Sequence, residues 1–222
     1  MKNRYNLQAT TRQRLKTLRQ IGKSLLLSAI VGIMGYEQIE QMRHDEAVRT
    51  YYFTAKEDNF YENPANWEPS YPGNKVEVDT RIVVQEVMYI TGFDLELDGL
   101  LDVQMGATVM ASHSDIILSS TGKIDNQGEI IVQNILNEGL IFNQLGAVIN
   151  TRNLVSSESG SVQNLKSAQV IVIQNLTNEG HFLNYSYCAA GELFNHAEFQ
   201  QVRGSELRID GENIELVALY RP

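Results

Sequence analysis

From Val76 to about residue 215 the chain is written in short runs in which apolar and polar residues alternate, with Gly or Asn closing each run. Alternation at a period of two places one set of side chains on each face of a strand, whereas a helix would need apolar residues three and four apart. The stretch therefore predicts short strands and no helix.

One phrase recurs through it. Gly-x-apolar-x-Asn occurs at Gly122-Ile124-Asn126, Gly139-Ile141-Asn143, Gly146-Val148-Asn150, Gly160-Val162-Asn164, Gly180-Phe182-Asn184 and Gly191-Leu193-Asn195. A second phrase, Asn-x-Gly, leads into it at Asn126-Gln127-Gly128, Asn137-Glu138-Gly139 and Asn178-Glu179-Gly180. Antiparallel sandwiches and jelly rolls also use short strands with Gly and Asn turns, but nothing in them requires one phrase to recur. A solenoid does, because each coil packs on a like neighbour. The glycines are unevenly spaced, which suits coils of roughly 17–20 residues with more than one corner built from the same phrase. The fold class expected is all-β, a right-handed parallel β-helix, with Ile124, Ile141, Val148, Val162, Phe182 and Leu193 pointing inward. Gly and Asn would supply positive-φ corners, and the asparagines of successive corners would stack as amide ladders.

Before the coils the texture differs. Residues 51–84 open on the aromatic run Tyr51-Tyr52-Phe53 and continue through Asn63-Pro64-Ala65-Asn66-Trp67 and Pro72-Gly73 to a Val-rich strand. This segment resembles the start of secreted bacterial surface proteins that continue into a right-handed parallel β-helix. The resemblance covers about 35 residues and implies a cap on the first coil, with no activity attached. Trp67 is read as an amphipathic plug whose N–H bonds to backbone; a sugar-stacking platform is the other reading, and it needs partner aromatics.

Charge divides the chain. Residues 1–23 carry Lys2, Arg4, Arg12, Arg14, Lys16, Arg19 and Lys23 and no acid, while the rest holds 11 basic residues against 27 acids, giving −9 over the whole 222 residues. A body this acidic is a poor binder of a phosphate backbone, and nucleic acid is set aside as a partner. The uncharged run Ser24 to Tyr36 follows the basic segment in the order of an export signal, at a length matching its apolar region and short of a full bilayer span. A buried helix with a basic lead-in is the alternative. Export, with cleavage or with retention as a membrane anchor through residues 24–36, implies an extracytoplasmic body that is secreted or membrane-anchored. The domains expected are residues 1–36 as signal or anchor, 37–50 as a helical spacer, 51–85 as the cap and 86–222 as coils.

Candidate chemistry is sparse. Asp94, Glu96 and Asp98 alternate with Phe93, Leu95 and Leu97, which sends all three acids to one face, with Asp102 beyond Gly99. Such a row is a possible calcium site, and it is also what a solvated strand face looks like. No Arg or Lys stands nearby in sequence as the base or charge stabiliser that a lyase needs. His113, His181 and His196 show no metal-ligand spacing. Cys188 has no second cysteine to pair with and reads as a small buried hydrophobe. Asn175-Leu176-Thr177 and Asn184-Tyr185-Ser186 match the glycosylation pattern by coincidence. The function expected is a non-catalytic cell-surface or envelope module for structure or adhesion, with a polysaccharide-active, lyase-like and degenerate enzyme as the alternative. No cofactor other than calcium is suggested, and the partners would be surface polysaccharide or other envelope proteins.

Overall fold

A computed structural model describes residues 48–213. Residues 1–36 and 37–47, the expected signal and most of the spacer, lie outside the described residues. The chain forms a parallel β-solenoid of about seven turns.

The first described strand is β1 (Arg49–Phe53), so Arg49 and Thr50 are extended where a helical spacer was expected. A cap loop follows, containing a single 3-10 turn at Pro64–Asn66 and the short strands β2 (Trp67–Glu68) and β3 (Lys75–Val76). The first full coil runs through β4 (Thr80–Val84), β5 (Val87–Tyr89) and β6 (Leu95–Leu97). Later coils pair one four-residue strand with one long strand: β7 (Leu100–Val103) with β8 (Thr108–Leu118), β9 (Lys123–Asn126) with β10 (Glu129–Asn137) and β11 (Leu140–Asn143) with β12 (Val148–Ser156). The pattern continues with β13 (Ser161–Asn164) and β14 (Gln169–Asn178), then β15 (His181–Asn184) and β16 (Tyr187–Asn195). The chain then runs through β17 (Glu198–Gln201), β18 (Glu206–Ile209) and β19 (Glu212–Asn213).

The short strands stack in parallel as sheet A, in the order β17-β15-β13-β11-β9-β7-β4-β1, and the long strands stack beside them as sheet B. Parallel pairing throughout the coils excludes the antiparallel sandwich. β1 and β4 already belong to sheet A, so the solenoid begins inside the stretch expected to be cap. Each long strand is broken by a register shift, as between Val132 and Asn134, so sheet B has two limbs: β5 pairs with the first half of β8 and β6 with the second. One coil therefore has three sides. Successive partners in sheet A (Ile82, Leu101, Ile124, Ile141, Val162, Phe182, Phe199) stand 19, 23, 17, 21, 20 and 17 residues apart, a wider spread than the expected 17–20. The extra residues go into the corners and, in β8 and β14, into the bend between the two limbs of sheet B.

Inward rows build the core. Sheet A contributes the row just named; the two limbs of sheet B contribute Val109, Ile130, Ile149, Val170, Cys188 and Leu207, and Leu95, Ile116, Ile135, Leu154, Leu176 and Leu193. Stacking makes each row continuous, so every apolar side chain meets its own kind about 4.8 Å above and below. Val148 is a correction: it faces outward between Glu129 and Gln169, while its neighbours Ala147 and Ile149 are buried. The cause is the turn before it, Gln144 to Ala147, which shifts the strand register by one residue relative to the other copies of the phrase.

Both sheets end on an antiparallel strand, β2 beside β1 and β19 beside β18. At the second of these ends Asp210 and Gly211 both have positive φ (49° and 78°), the backbone of a two-residue hairpin turn. Reversal of the chain interrupts the parallel template there. The outward side of sheet A is not open surface: Val83, Asp102, Asp125, Phe142 and Gln163 on it are all buried, whereas the outward rows of sheet B are half-exposed.

Candidate functional site

The repeated phrase resolves into three structural roles. In the copies at Gly122, Gly139, Gly160 and Gly180, glycine ends the corner into sheet A, the apolar residue points inward and the asparagine ends the strand. These four glycines lack the positive φ expected of them. Their reason is close approach: a Cβ on Gly139 would stand 2.1 Å from the carbonyl oxygen of Gly122 in the coil below, with like contacts of 2.1, 2.3 and 2.2 Å at Gly122, Gly160 and Gly180. Gly146 is the opposite case. It has open space around its Cα and φ +79°, at the third position of a turn closed by Ala147 N–H donating to Gln144 O at 3.0 Å. The third role is that of Gly191, which sits at the bend between the two limbs of sheet B.

The asparagines divide in the same way. Asn126, Asn143, Asn164 and Asn184 are fully buried and in register, and the Nδ2 of each of the first three donates to the next Oδ1, at 2.9, 2.9 and 2.8 Å. Each Nδ2 also donates to a backbone carbonyl across the corner, to Val148, Gln169, Tyr187 and Glu206 respectively. This is the expected amide ladder. A second ladder lies at the other end of the coil, where Asn137 donates to Ser156 Oγ at 3.1 Å and Asn178 to Asn195 at 2.8 Å. Asn-x-Gly is the local signature of the corners: the N–H of Gly128 and of Gly139 each donates to the Oδ1 of the asparagine two residues before it, at 3.1 Å. Asn150 joins neither ladder and lies half-exposed.

A third ladder, on the outside of the bend, was not foreseen. Asp115 N–H donates to Asp94 Oδ1 at 2.8 Å, Asn134 Nδ2 to Asp115 Oδ1 at 2.7 Å, Asn153 to Asn134 at 2.8 Å and Asn175 to Asn153 at 3.2 Å. Its members share no sequence phrase; the shifted register of sheet B aligns them. It also absorbs Asn175, while Asn184 is buried in the first ladder, which fits the reading of both glycosylation matches as coincidence.

The acid row keeps its alternation, with Leu95 and Leu97 buried and Glu96 exposed between them. Its acids do not converge. Asp94 is bound to the Asp115 N–H, and Asp98 forms a 2.9 Å ion pair with Lys75. Parallel pairing of β3 with β6 brings Lys75 beside Glu96, so the cation missing from the local sequence arrives from the cap. The Asp98 carboxyl is held below its ordinary value first by a hydrogen bond from Ser119 and then by Lys75. Lys75 in turn is pushed up by its bond to Asp98. Asp102 is on the outward side of sheet A, buried and paired with Arg81. Among the described residues, no group of three or more His, Cys, Asp or Glu side chains is placed to hold a metal ion. His181 pairs with Glu198 at 2.9 Å.

The cap accounts for its motif residue by residue. Asn63 accepts from the Ala65 N–H and caps the 3-10 turn. Asn66 is buried; its Oδ1 accepts from the Glu57 N–H at 3.0 Å while its Nδ2 donates to Asp58 at 2.6 Å and to Phe60 O at 3.0 Å. Trp67 donates from Nε1 to Tyr61 O at 2.7 Å, and its ring meets Phe53 and Tyr61 edge-on at 5.2 and 4.9 Å. With 4% of its surface exposed, the indole plugs the core and offers no platform to a sugar.

The fold thus defines the class, a parallel β-helix with an aromatic cap. No protein-family model, curated protein or solved structure matches the chain.

Proposed function

We propose that the protein is a non-catalytic, extracytoplasmic β-helix module of the cell surface or envelope, serving as a structural or adhesive scaffold. The observation that carries this reading is where the polar side chains are spent. Three ladders of side-chain amides and carboxylates bind coil to coil, and two of the three acids in the candidate row are engaged in bonds within the solenoid. Such groups maintain a repeat and leave no convergent set for chemistry. Export rests on the basic and apolar order of residues 1–36, and a bacterial surface setting on the resemblance of residues 51–84. Fractionation of cells expressing the tagged full chain tests it: the body is expected outside the cytoplasm and accessible to added protease. Full-length protein soluble in the cytosol would defeat the reading.

One observation favours the alternative of a lyase-like enzyme: Lys75 and the acid row do share one face. Ion pairing with Asp98 keeps that lysine protonated, however, so it is poorly suited to act as a base. Incubation with acidic polysaccharides, followed by ultraviolet absorbance of unsaturated chain ends, separates the two readings.

A further inference from the structure

The corner from sheet A into sheet B differs from the other edges of the solenoid. Its tips, coil by coil from β7 onward, are Met105, Gln127, Leu145, Lys166, Tyr185 and Arg203. Met105 is 83% exposed, Leu145 66% and Tyr185 38%, the first two being the most exposed large apolar residues among those described. Lys166 and Arg203 are exposed as well. The six connecting segments (104–107, 127–128, 144–147, 165–168, 185–186 and 202–205) contain no acid, and the exposed Glu86 of the first coil is the one acid at this edge among the described residues. The opposite corner, out of sheet B, carries Asp98, Glu138, Glu158 and Glu179.

These tips are held in line. Each follows a residue of the same sheet A register row (Val103, Asn126, Asn143, Asn164, Asn184, Gln201), four members of which form the buried amide ladder. Four of the six corners are turns with one backbone bond, as in Ala107 N–H to Gln104 O and Ala168 N–H to Leu165 O, both 3.0 Å, and their third residue (Gly106, Gly146, Ser167, Gly204) has positive φ. At about 4.8 Å per coil, the ridge is some 24 Å long.

We infer that this ridge seats the solenoid on an anionic lipid surface, with Met105, Leu145 and Tyr185 entering the headgroup boundary and Lys166 and Arg203 meeting lipid phosphates. Apolar and aromatic tips beside cations, on a rigid edge whose corners from β7 onward carry no acid, are what a charged interface selects. A second copy of the chain is the competing occupant, since the acidic corner would match Lys166 and Arg203. Apart from Ala197, that corner is built of Asp, Glu, Ser, Thr, His and Gly and offers no large apolar residue to receive Met105 or Leu145. The inference goes beyond the scaffold reading and does not depend on the compartment.

The test uses the full chain with a tryptophan reporter, because Trp67 is buried and supplies a constant background. Leu145→Trp is mixed with vesicles of equimolar phosphatidylglycerol and phosphatidylcholine carrying brominated acyl chains; Leu136→Trp, on the second limb of sheet B, is the control. Expected are a blue shift and quenching at position 145 and neither at 136, with Lys166→Glu plus Arg203→Glu weakening vesicle affinity by at least tenfold, from about fivefold per cation lost. Absence of sedimentation with the vesicles would overturn the inference. So would sedimentation without quenching at 145, or equal quenching at both positions, since another part of the chain would then make the contact. A blue shift in vesicle-free buffer that grows with protein concentration would assign the ridge to a second copy instead.

Discussion

Asn126 donates from Nδ2 to Oδ1 of Asn143 across 2.9 Å, although 17 residues separate them in the chain. The same donor reaches Val148 O at 3.0 Å, so one buried amide ties its own corner to the coil above twice. Asn143 repeats the arrangement toward Asn164 and Gln169.

Asn143→Ala removes that relay and strands the Asn126 and Gln169 groups that it served. A loss of about 2–3 kcal/mol is expected in urea unfolding, from buried partners left without bonds. Asn150→Ala, in another copy of the same phrase but half-exposed, should stay within about 0.5 kcal/mol. Equal effects would mean that the ladder contributes nothing.

Glycine substitutions separate close approach from backbone conformation. Gly139→Ala drives a Cβ against a backbone carbonyl in the neighbouring coil and should cost more than about 3 kcal/mol or abolish folding. Gly146→Ala meets no atom and should cost only the left-handed backbone, about 1–2 kcal/mol. Ser167 holds φ +65° at the equivalent turn position, so Ser167→Gly should be neutral or stabilising by up to about 1 kcal/mol. Melting midpoints of the three variants rank them.

Inward and outward positions of the phrase should respond oppositely to charge. Ile141→Asp places an unpaired carboxylate among fully buried residues, at several kcal/mol against a total stability of roughly 5–15, and should prevent folding. Val148→Asp faces solvent and should leave the circular dichroism spectrum unchanged. A folded Ile141→Asp protein would refute the register.

The acid row is predicted to be structural. Glu96→Gln should leave the melting temperature alone, and added calcium should not raise it; a saturable rise would revive the metal reading. Asp98→Asn should cause a small loss at neutral pH. The carboxyl value is lowered on folding, so its contribution is present above the ordinary 3.8 and disappears as pH falls through the folded value. The variant and wild type should therefore converge in acid.

Burial pushes the Cys188 thiol up to about 12, so a thiol-specific disulfide reagent should fail to label native protein at neutral pH and should label it fully in denaturant. Labelling under native conditions would place the residue outside the core.

What the chain alone determined was the repeat. A period of two and a recurring Gly-x-apolar-x-Asn are local facts, and stacked coils follow from them because each unit has an apolar row that only a like neighbour buries. The inward positions Ile124, Ile141, Val162 and Phe182 were legible for the same reason, and the Trp67 plug from the amphipathic character of a lone tryptophan among turn residues. Tertiary structure decided which copy does what. Val148 turned outward because the Gly146 turn shifts the register by one residue, and a period of two converts one residue into the opposite face. Gly139 and Gly146 look alike in sequence, yet one is required by a carbonyl in the next coil and the other by a left-handed turn. Lys75 reached Asp98, and Asp94, Asp115, Asn134, Asn153 and Asn175 formed a ladder, through register between strands some twenty residues apart. The ridge of Met105, Leu145 and Lys166 likewise exists only once the coils are stacked, because no local pattern records which corners share an edge.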